Sequence, residues 1–582
     1  MEKQKAGRVF IYFLAAAGAA CLSLPLLDSI SDPDFFWHLK TGEWIWRHTA
    51  LPQQDPFSFT SPAQLSAGAH FTLTAYWLAQ VTYHLIDLVC GLRGIVFLRF
   101  VLTGALACIM LKRKHGDNLV YAGLIAVFLT ALLELYPMDR PQVFSFIAFA
   151  VLLSLMEKIR SGNSSTAVFF AVAVVMLLWS NMHGGYVLGQ GALLLYAASE
   201  GIKFIHPSLG PPEKPVYARL VAAALLGIVF SLANPNSYYA AAMISGGAPK
   251  DIIEYQSSVH IFRTYAGYGI VLYWSLLLLA VGGVAADLKK QDISEVLLLA
   301  GTGLISFMQM RYIPFFMIAA LPFIGRSLSR GRMLKHTRRL IFAAAMLITV
   351  LFAVNKAANV GNMASGNWVN TYYFPEKASD FIAKNDLRGN MFNFYDWGGY
   401  LIWRLGPERK VFADGRGLYP DIVAQAQLIS AANRADVSGV PFWKAALDNY
   451  DIKFVVIPLF QRSGKMVRLV DALVTDKDWV PVFYDLNSMI FVKNSKENHQ
   501  AINNFAVPKS RFLNDLIRVC DRLIAAVPKK IPPYIAKGDL LLAGGKFTEA
   551  KEMYEKAAGI APLNPVPGER LEMMDRRIRQ KD

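Results

Sequence analysis

Apolar residues fill the first 356 positions in blocks separated by short polar or charged stretches. The blocks run to about 18–22 residues, the length of α-helix that crosses a hydrocarbon core. They fall at 94–111, 118–135, 142–157, 165–181, 185–204, 217–234, 267–286, 292–308, 312–328 and 339–356. With the first block, Val9 to Ile30, they predict about eleven transmembrane helices in residues 1–356. The stretch 71–90, FTLTAYWLAQVTYHLIDLVC, carries Thr, Gln, His and Asp among its apolar residues. It predicts an amphipathic helix lying at the outer surface, within a first outer loop at 31–92.

Charge orients this array. With 71–90 kept out of the membrane, the basic connections Lys112-Arg113-Lys114, Lys158 to Arg160, Lys203 to Arg219, Lys289-Lys290 and Arg326 to Arg339 share one side. Such loops face the cytoplasm. Lys3, Lys5 and Arg8 place the amino end there too. The first block has the makings of a signal peptide, but its length and the lack of a small-residue cleavage site predict a retained helix. Arg99 falls inside a predicted span and either snorkels to the outer interface or faces a polar cavity. The formal net charge of +16 reads as topology-setting charge rather than a nucleic-acid surface, because the cations cluster between apolar runs. The mean hydropathy of +0.33 excludes an ordinary soluble protein. Cys21, Cys90, Cys108 and Cys520 have no metal-ligand spacing and no disulfide framework.

After the last block, residues 357 to 582 are expected on the outer side. Across 357–497, helical and strand patterns alternate. Pro375 to Lys384 reads as a helix, and Met391 to Phe394, Lys410 to Ala413, Phe454 to Ile457, Val480 to Tyr484 and Met489 to Val492 read as strands. An extracytoplasmic α/β domain follows. Asp414-Gly415-Arg416 ends a predicted strand, either as a site or as a turn held by a salt bridge. Residues 498–582 are polar and helical. Tyr534, Gly538, Ala550, Tyr554, Ala557 and Pro562 hold the spacing of a tetratricopeptide repeat, a surface for a polypeptide partner or a packing cap.

Candidate chemistry concentrates in the outer connections. Ser31 to Thr60 follows the first block and carries Asp32, Asp34, Trp37, His38 and Asp55. Carboxylates two residues apart hold a divalent cation, act as a general base, or start a turn. Asp55, before Pro56, reads as a turn or helix-stop residue. Arg140 in YPMDRPQ, with Asp139 beside it as a neutralising partner, Asn181 and His183 in WSNMHGG, and Arg311 in MQMRYIPFF lie at outer membrane ends. A lone Arg there snorkels. Two Arg, a His and two Asp at one depth suit transfer from a lipid phosphate, the cations stabilising the leaving phosphate and a carboxylate taking the proton of the attacking hydroxyl.

The first-loop acids, the amphipathic stretch and the span number resemble the GT-C superfamily of membrane glycosyltransferases, which includes oligosaccharyltransferases, protein O-mannosyltransferases and the lipid A aminoarabinose transferase. DPDFFWHLKTGEWIW, WSNMHGG, RYIPFF and YDWGGYLIWRL with VFADGR resemble a broad set of bacterial GT-C-like proteins, over most of 1–495. Repeats behind such a membrane part are similar to animal O-mannosyltransferases. The resemblance implies a bacterial cytoplasmic (inner) membrane enzyme with a polyprenyl-phosphate-linked sugar as donor. It implies Asp34 or Asp32 as base, or both as ligands of a divalent cation such as Mg or Mn. Trp37, His38, Arg140, His183 and Arg311 are expected to bind substrate, the last three as phosphate contacts assigned on topology. The acceptor is a protein, a lipid or a glycan. The chain lacks WWDYG, which sets it apart from oligosaccharyltransferases. A lipid-linked glycan flippase, or an envelope scaffold using the repeat region, are the rival readings.

Overall fold

The computed structural model describes residues 17–579 except 114–115, 163–164, 238–252, 266, 287–290, 331–333, 365–366, 372, 438, 461–465, 527 and 561–564. The first part of the first expected span (9–16), the Lys289-Lys290 pair and Pro562 lie outside them. The chain divides into two compact units, Met1–Gln53 with Leu65–Asn370, and Gln54–Gln64 with Thr371–Asp582.

The first unit is helical. From position 92 the apolar blocks fold as Leu92–Lys112, Asn118–Leu135, Gln142–Arg160, Thr166–Met182, Tyr186–Ile205, Lys214–Ser231, Tyr268–Ala286, Ile293–Met308, Ile313–Arg330 and Lys335–Ala364. Among the described residues, seven helices are long and apolar enough to cross a membrane, and Ala17–Leu27, Thr166–Met182 and Ile293–Met308 are shorter apolar helices. Two of these helices start on a side-chain cap. Asp117 accepts from the Leu119 and Val120 amides at 3.0 and 3.4 Å, and Asp292 from the Ser294 amide at 2.8 Å. Each satisfies helix amides that have no partner within the helix.

The basic ends are cross-linked rather than merely solvated. Arg113 pairs with Glu157 at 2.6 Å, Arg160 with Asp292 at 2.5 Å, Arg338 with Asp117 at 2.8 Å, and Arg326 with Glu295. At the other end, Arg99 neither snorkels nor faces an open cavity. It is buried, chelates Asp139 through Nε and Nη2, and donates from Nη1 to the Leu26 and Asp28 carbonyls. The expected neutralisation of Arg140 by Asp139 is thereby overturned, because Asp139 spends both oxygens on Arg99.

The 71–90 stretch is not one helix. It breaks at Ala75-Tyr76 into Ala67–Thr74 and Trp77–Cys90. The second piece buries Ala79, Gln80 and Tyr83 and leaves Leu88 and Val89 exposed. It packs against the Pro33–His48 helix, where a Cβ on Gly42 would lie 2.0 Å from the Gln80 carbonyl oxygen. Only glycine permits that approach.

In the second unit, β1 (Asn390–Asn393), β2 (Ile452–Ile457), β3 (Trp479–Tyr484) and β4 (Met489–Lys493) form one sheet in the order β1-β2-β4-β3. β1 runs parallel to β2, and the other pairs are antiparallel. β2 reads IKFVVI and is almost wholly buried, as a central strand covered on both faces should be. Lys410 to Ala413 does not join this sheet. Val411 instead brackets the 57–59 segment, donating to the Phe57 carbonyl at 2.9 Å and accepting from the Phe59 amide at 3.2 Å. Arg416 anchors the same segment. It is fully buried and bridges Asp55 at 2.7 Å and Asp414 at 2.6 Å. Asp55 also accepts from the Phe57 amide at 2.9 Å, the turn contact expected of it.

Behind the sheet run the helices Lys509–Ala526, Pro532–Ala543, Phe547–Ile560 and Pro565–Arg579. A Cβ on Gly538 would sit 2.4 Å from the Tyr554 ring, and Tyr554 is buried with its hydroxyl donating to Asp539 at 2.7 Å. The small residue lets the two helices close on each other.

Candidate functional site

The site is built at one end of the first unit, from helix starts and the turns between helices. Asp32 caps Pro33–His48, accepting from the Asp34 amide at 2.8 Å, and Pro33 fits the first helical position. This cap explains the DPD spelling: the first Asp starts the helix, and the second sits in its first turn. Asp34 then accepts from the Trp37 indole at 3.2 Å, one turn on. The Trp37 and His38 rings touch at a tilt, with centroids 3.5 Å apart and planes 35° from each other.

Arg140 comes from the turn between Asn118–Leu135 and Gln142–Arg160. Its Nε and Nη2 donate to the two oxygens of Asp32 at 2.6 and 3.1 Å. Its Nη2 lies 3.0 Å from Asp34 Oδ2, and its Nη1 2.5 Å from Glu254 Oε1. One guanidinium thus serves three carboxylates, a surplus of negative charge. Burial pushes the Asp34 carboxyl up to about 7 against the pull of Arg140, with Asp32 and Glu254 adding to the rise. A carboxyl raised in this direction binds a proton more readily than an ordinary one, which suits a general base.

Around this centre lie two imidazoles and a second cation. His38 and His183 both contact the Tyr76 ring, at 5.1 and 5.5 Å between centroids. Burial holds both imidazoles in the neutral form, His183 down to about 3, and nearby arginines act in the same sense. Arg311 lies with its guanidinium 4.7 Å from the centre of the Tyr255 ring and 5.7 Å from that of Tyr312. Its charge acts on Tyr76 and His183. Unlike Arg140, it is packed on aromatic faces and, among the described residues, makes no salt bridge.

The structure therefore gathers Asp32, Asp34, Trp37, His38, Arg140, His183 and Arg311 into one neighbourhood. Asn181 is structural. It accepts from the Trp77 indole at 2.8 Å and donates to the Ala233 carbonyl at 2.9 Å, tying helices together. Asp414 and Arg416 belong to the buried staple of the second unit. Glu254, Tyr255 and Tyr76 were not among the sequence candidates. The glutamate lies in the short 3-10 helix Ile253–Tyr255 of a long connection, and Tyr76 in a stretch read as surface helix.

A divalent cation does not fit the acids as they stand. Both oxygens of Asp32 and both of Asp34 are engaged by Arg140, the Asp34 amide or Trp37. Among the described residues, no group of three or more His, Cys, Asp or Glu side chains has metal-holding geometry. In this structure the two acids expected as a metal pair both face the Arg140 guanidinium.

No family model matches the chain, and no curated protein does. Solved structures do. One is the archaeal oligosaccharyltransferase AglB from Archaeoglobus fulgidus in complex with an inhibitory peptide and a dolichol-phosphate, at 11% identity and a TM-score of 0.46, covering 83% of this chain and 74% of that one. Another is an Archaeoglobus fulgidus oligosaccharyltransferase crystal structure with Zn and sulfate, at 10% identity and a TM-score of 0.48, covering 94% of this chain and 86% of that one. With both scores below 0.5, the chemistry of this chain rests on its own site.

Proposed function

We propose that the chain is a GT-C-type inverting glycosyltransferase that moves a sugar from a polyprenyl-phosphate donor to an acceptor outside the cytoplasmic membrane. The observation that carries this reading is geometric: Asp34, held by Arg140 at 3.0 Å and by the Trp37 indole at 3.2 Å, shares one neighbourhood with Arg311 and with two histidines on the Tyr76 ring. The motif resemblance and the charge pattern of the connections support it independently.

In the proposed step Asp34 takes the proton of an acceptor hydroxyl. The hydroxyl oxygen bonds to the anomeric carbon as the bond from that carbon to the phosphate oxygen breaks. The leaving polyprenyl phosphate carries away the electron pair, stabilised by Arg311 and by an N–H of His183. A single in-line displacement inverts the anomeric centre. Arg140, spent on carboxylates, holds Asp34 in place and limits the rise of its pKa; that role replaces the expected phosphate contact. Trp37 orients Asp34 through its indole N–H. The four terminal helices offer a face for a polypeptide acceptor or partner, and residues 357–582 lie outside the membrane in this topology.

The test uses membranes carrying the full chain, a polyprenyl-phosphate sugar and a readout of sugar leaving the lipid. Asp34→Asn is expected to insert normally and to lose about 10²- to 10⁴-fold in transfer, the usual contribution of a general base. Unchanged transfer in this variant refutes the assignment. Movement of the lipid-linked sugar across the bilayer without a new glycosidic bond refutes the reaction class.

A further inference from the structure

The HGG turn after Thr166–Met182 fixes a single tautomer of His183. The Gly185 backbone N–H donates to His183 Nδ1 at 2.9 Å. A backbone N–H can only donate, so Nδ1 holds its lone pair and the ring proton resides on Nε2. Ser145, in the first turn of Gln142–Arg160, lies 2.7 Å from the same Nδ1. The Trp179 indole N–H donates to Ser145 Oγ at 2.6 Å. Because Nδ1 is an acceptor, the Ser145 hydroxyl donates to it, while the Ser145 oxygen accepts from the donor-only Trp179 indole N–H. The relay Trp179–Ser145–His183 therefore runs in one direction.

Close packing explains the two glycines. A Cβ on Gly185 would lie 2.6 Å from Ser145 Oγ and 2.8 Å from His183 Nδ1, and a Cβ on Gly184 2.9 Å from the Phe71 ring. Neither position has room for a side chain while the relay is formed. Among the described residues, Nε2 of His183 has no hydrogen-bond partner, although its ring lies beside Tyr76.

We infer that Ser145, with the Gly185 amide, is a positioning residue that locks His183 as a neutral Nε2–H donor for a phosphate oxygen of the isoprenoid donor. This rests on the transfer reading above for the identity of the ligand, though not for the tautomer. A neutral donor suits the step: it follows the phosphate from ester to leaving group without exchanging its own proton. The charged group facing His183 is Arg311, and Tyr76 and His38 are its other titratable neighbours. Two donors of different kind, a full cation and a neutral N–H, then meet one phosphate.

The test is solid-state NMR of the full chain, labelled with ¹⁵N-histidine, in phosphatidylcholine nanodiscs. His183 resonances are identified by their loss in His183→Gln. The expected signature is a protonated Nε2 and an unprotonated Nδ1; a protonated Nδ1 overturns the inference whatever the activity. Farnesyl phosphate is expected to shift the Nε2 resonance. A shift produced by added phosphatidylglycerol alone overturns the assignment to the donor phosphate. Ser145→Ala is expected to weaken farnesyl phosphate binding roughly fivefold, the loss of one net hydrogen bond, while Ser145→Thr, which keeps the hydroxyl, restores it. Equal binding in wild type and Ser145→Ala, with an unchanged Nδ1 resonance, overturns the role of Ser145. Should the chain move no sugar from the lipid while the His183 signature stands, the transferase reading fails and the tautomer lock does not.

Discussion

Replacing Arg416 by Met tests the staple that holds residues 54–64 within the second unit. The guanidinium has no solvent exposure, Asp55 has none, and Asp414 retains 4%. Nε and both terminal nitrogens make five side-chain hydrogen bonds, to Asp55, Asp414 and Ser58. Met fills a similar stem but leaves two carboxylates buried without a cation. Removing one partner of a buried ion pair costs about 3–5 kcal/mol. Urea slopes of about 2–3 kcal/mol per molar convert that into a midpoint lowered by roughly 1–2 M. The assay is pulse proteolysis of the full chain in urea, scored by cleavage within the strand region. A further Asp55→Asn, Asp414→Asn change in the Met background is expected to recover much of the loss, because the stranded charges are then gone. A midpoint in Arg416→Met indistinguishable from wild type refutes the view that this cluster holds the segment.

Four further outcomes follow from the first unit. Arg99→Leu strands Asp139 in a buried place and is expected to cost about 3–5 kcal/mol, with Asp139→Asn milder; thermal unfolding in nanodiscs reads both. Gly42→Ala drives a methyl against the Gln80 carbonyl, and overpacking of this kind costs about 1–3 kcal/mol; the same thermal assay should show it, with transfer lowered because Gln80 contacts His38 at 3.2 Å. The pH profile of transfer should rise through about pH 7, since Asp34 acts as a base only when ionised and its carboxyl is lifted to that range. Arg140→Gln removes the cation that opposes the lift, so the limb should move to higher pH; a limb that stays put contradicts the placement of Arg140.

The sequence made the helices legible because membrane thickness imposes a block length, and polar residues at one end of the blocks stood out against that background. Asp34, Arg140, His183 and Arg311 were visible for this reason. Their pairing was not. Asp139 and Arg140 are adjacent in the chain, yet they serve different partners, Asp32 with Arg140 and Arg99 with Asp139. Chain proximity favoured the wrong pair because a tight turn sends neighbouring side chains apart. Glu254 was hidden because a loop rich in polar residues gives no contrast. Val411 looked like a sheet strand because its apolar pattern is one, but its partner lies at 57–59, more than 350 positions earlier. The direction of the Ser145–His183 relay depends on which groups donate, and that appears only when the donors are in place.

The most direct measurement of the central claim is mass spectrometry of envelope glycans and glycoproteins from a strain lacking this chain, complemented with wild type or Asp34→Asn at equal membrane levels. The expected result is a glycan product that disappears on deletion, returns with wild type and stays absent with Asp34→Asn. An unchanged glycan profile on deletion would contradict the transferase reading, and full restoration by Asp34→Asn would contradict Asp34 as its base.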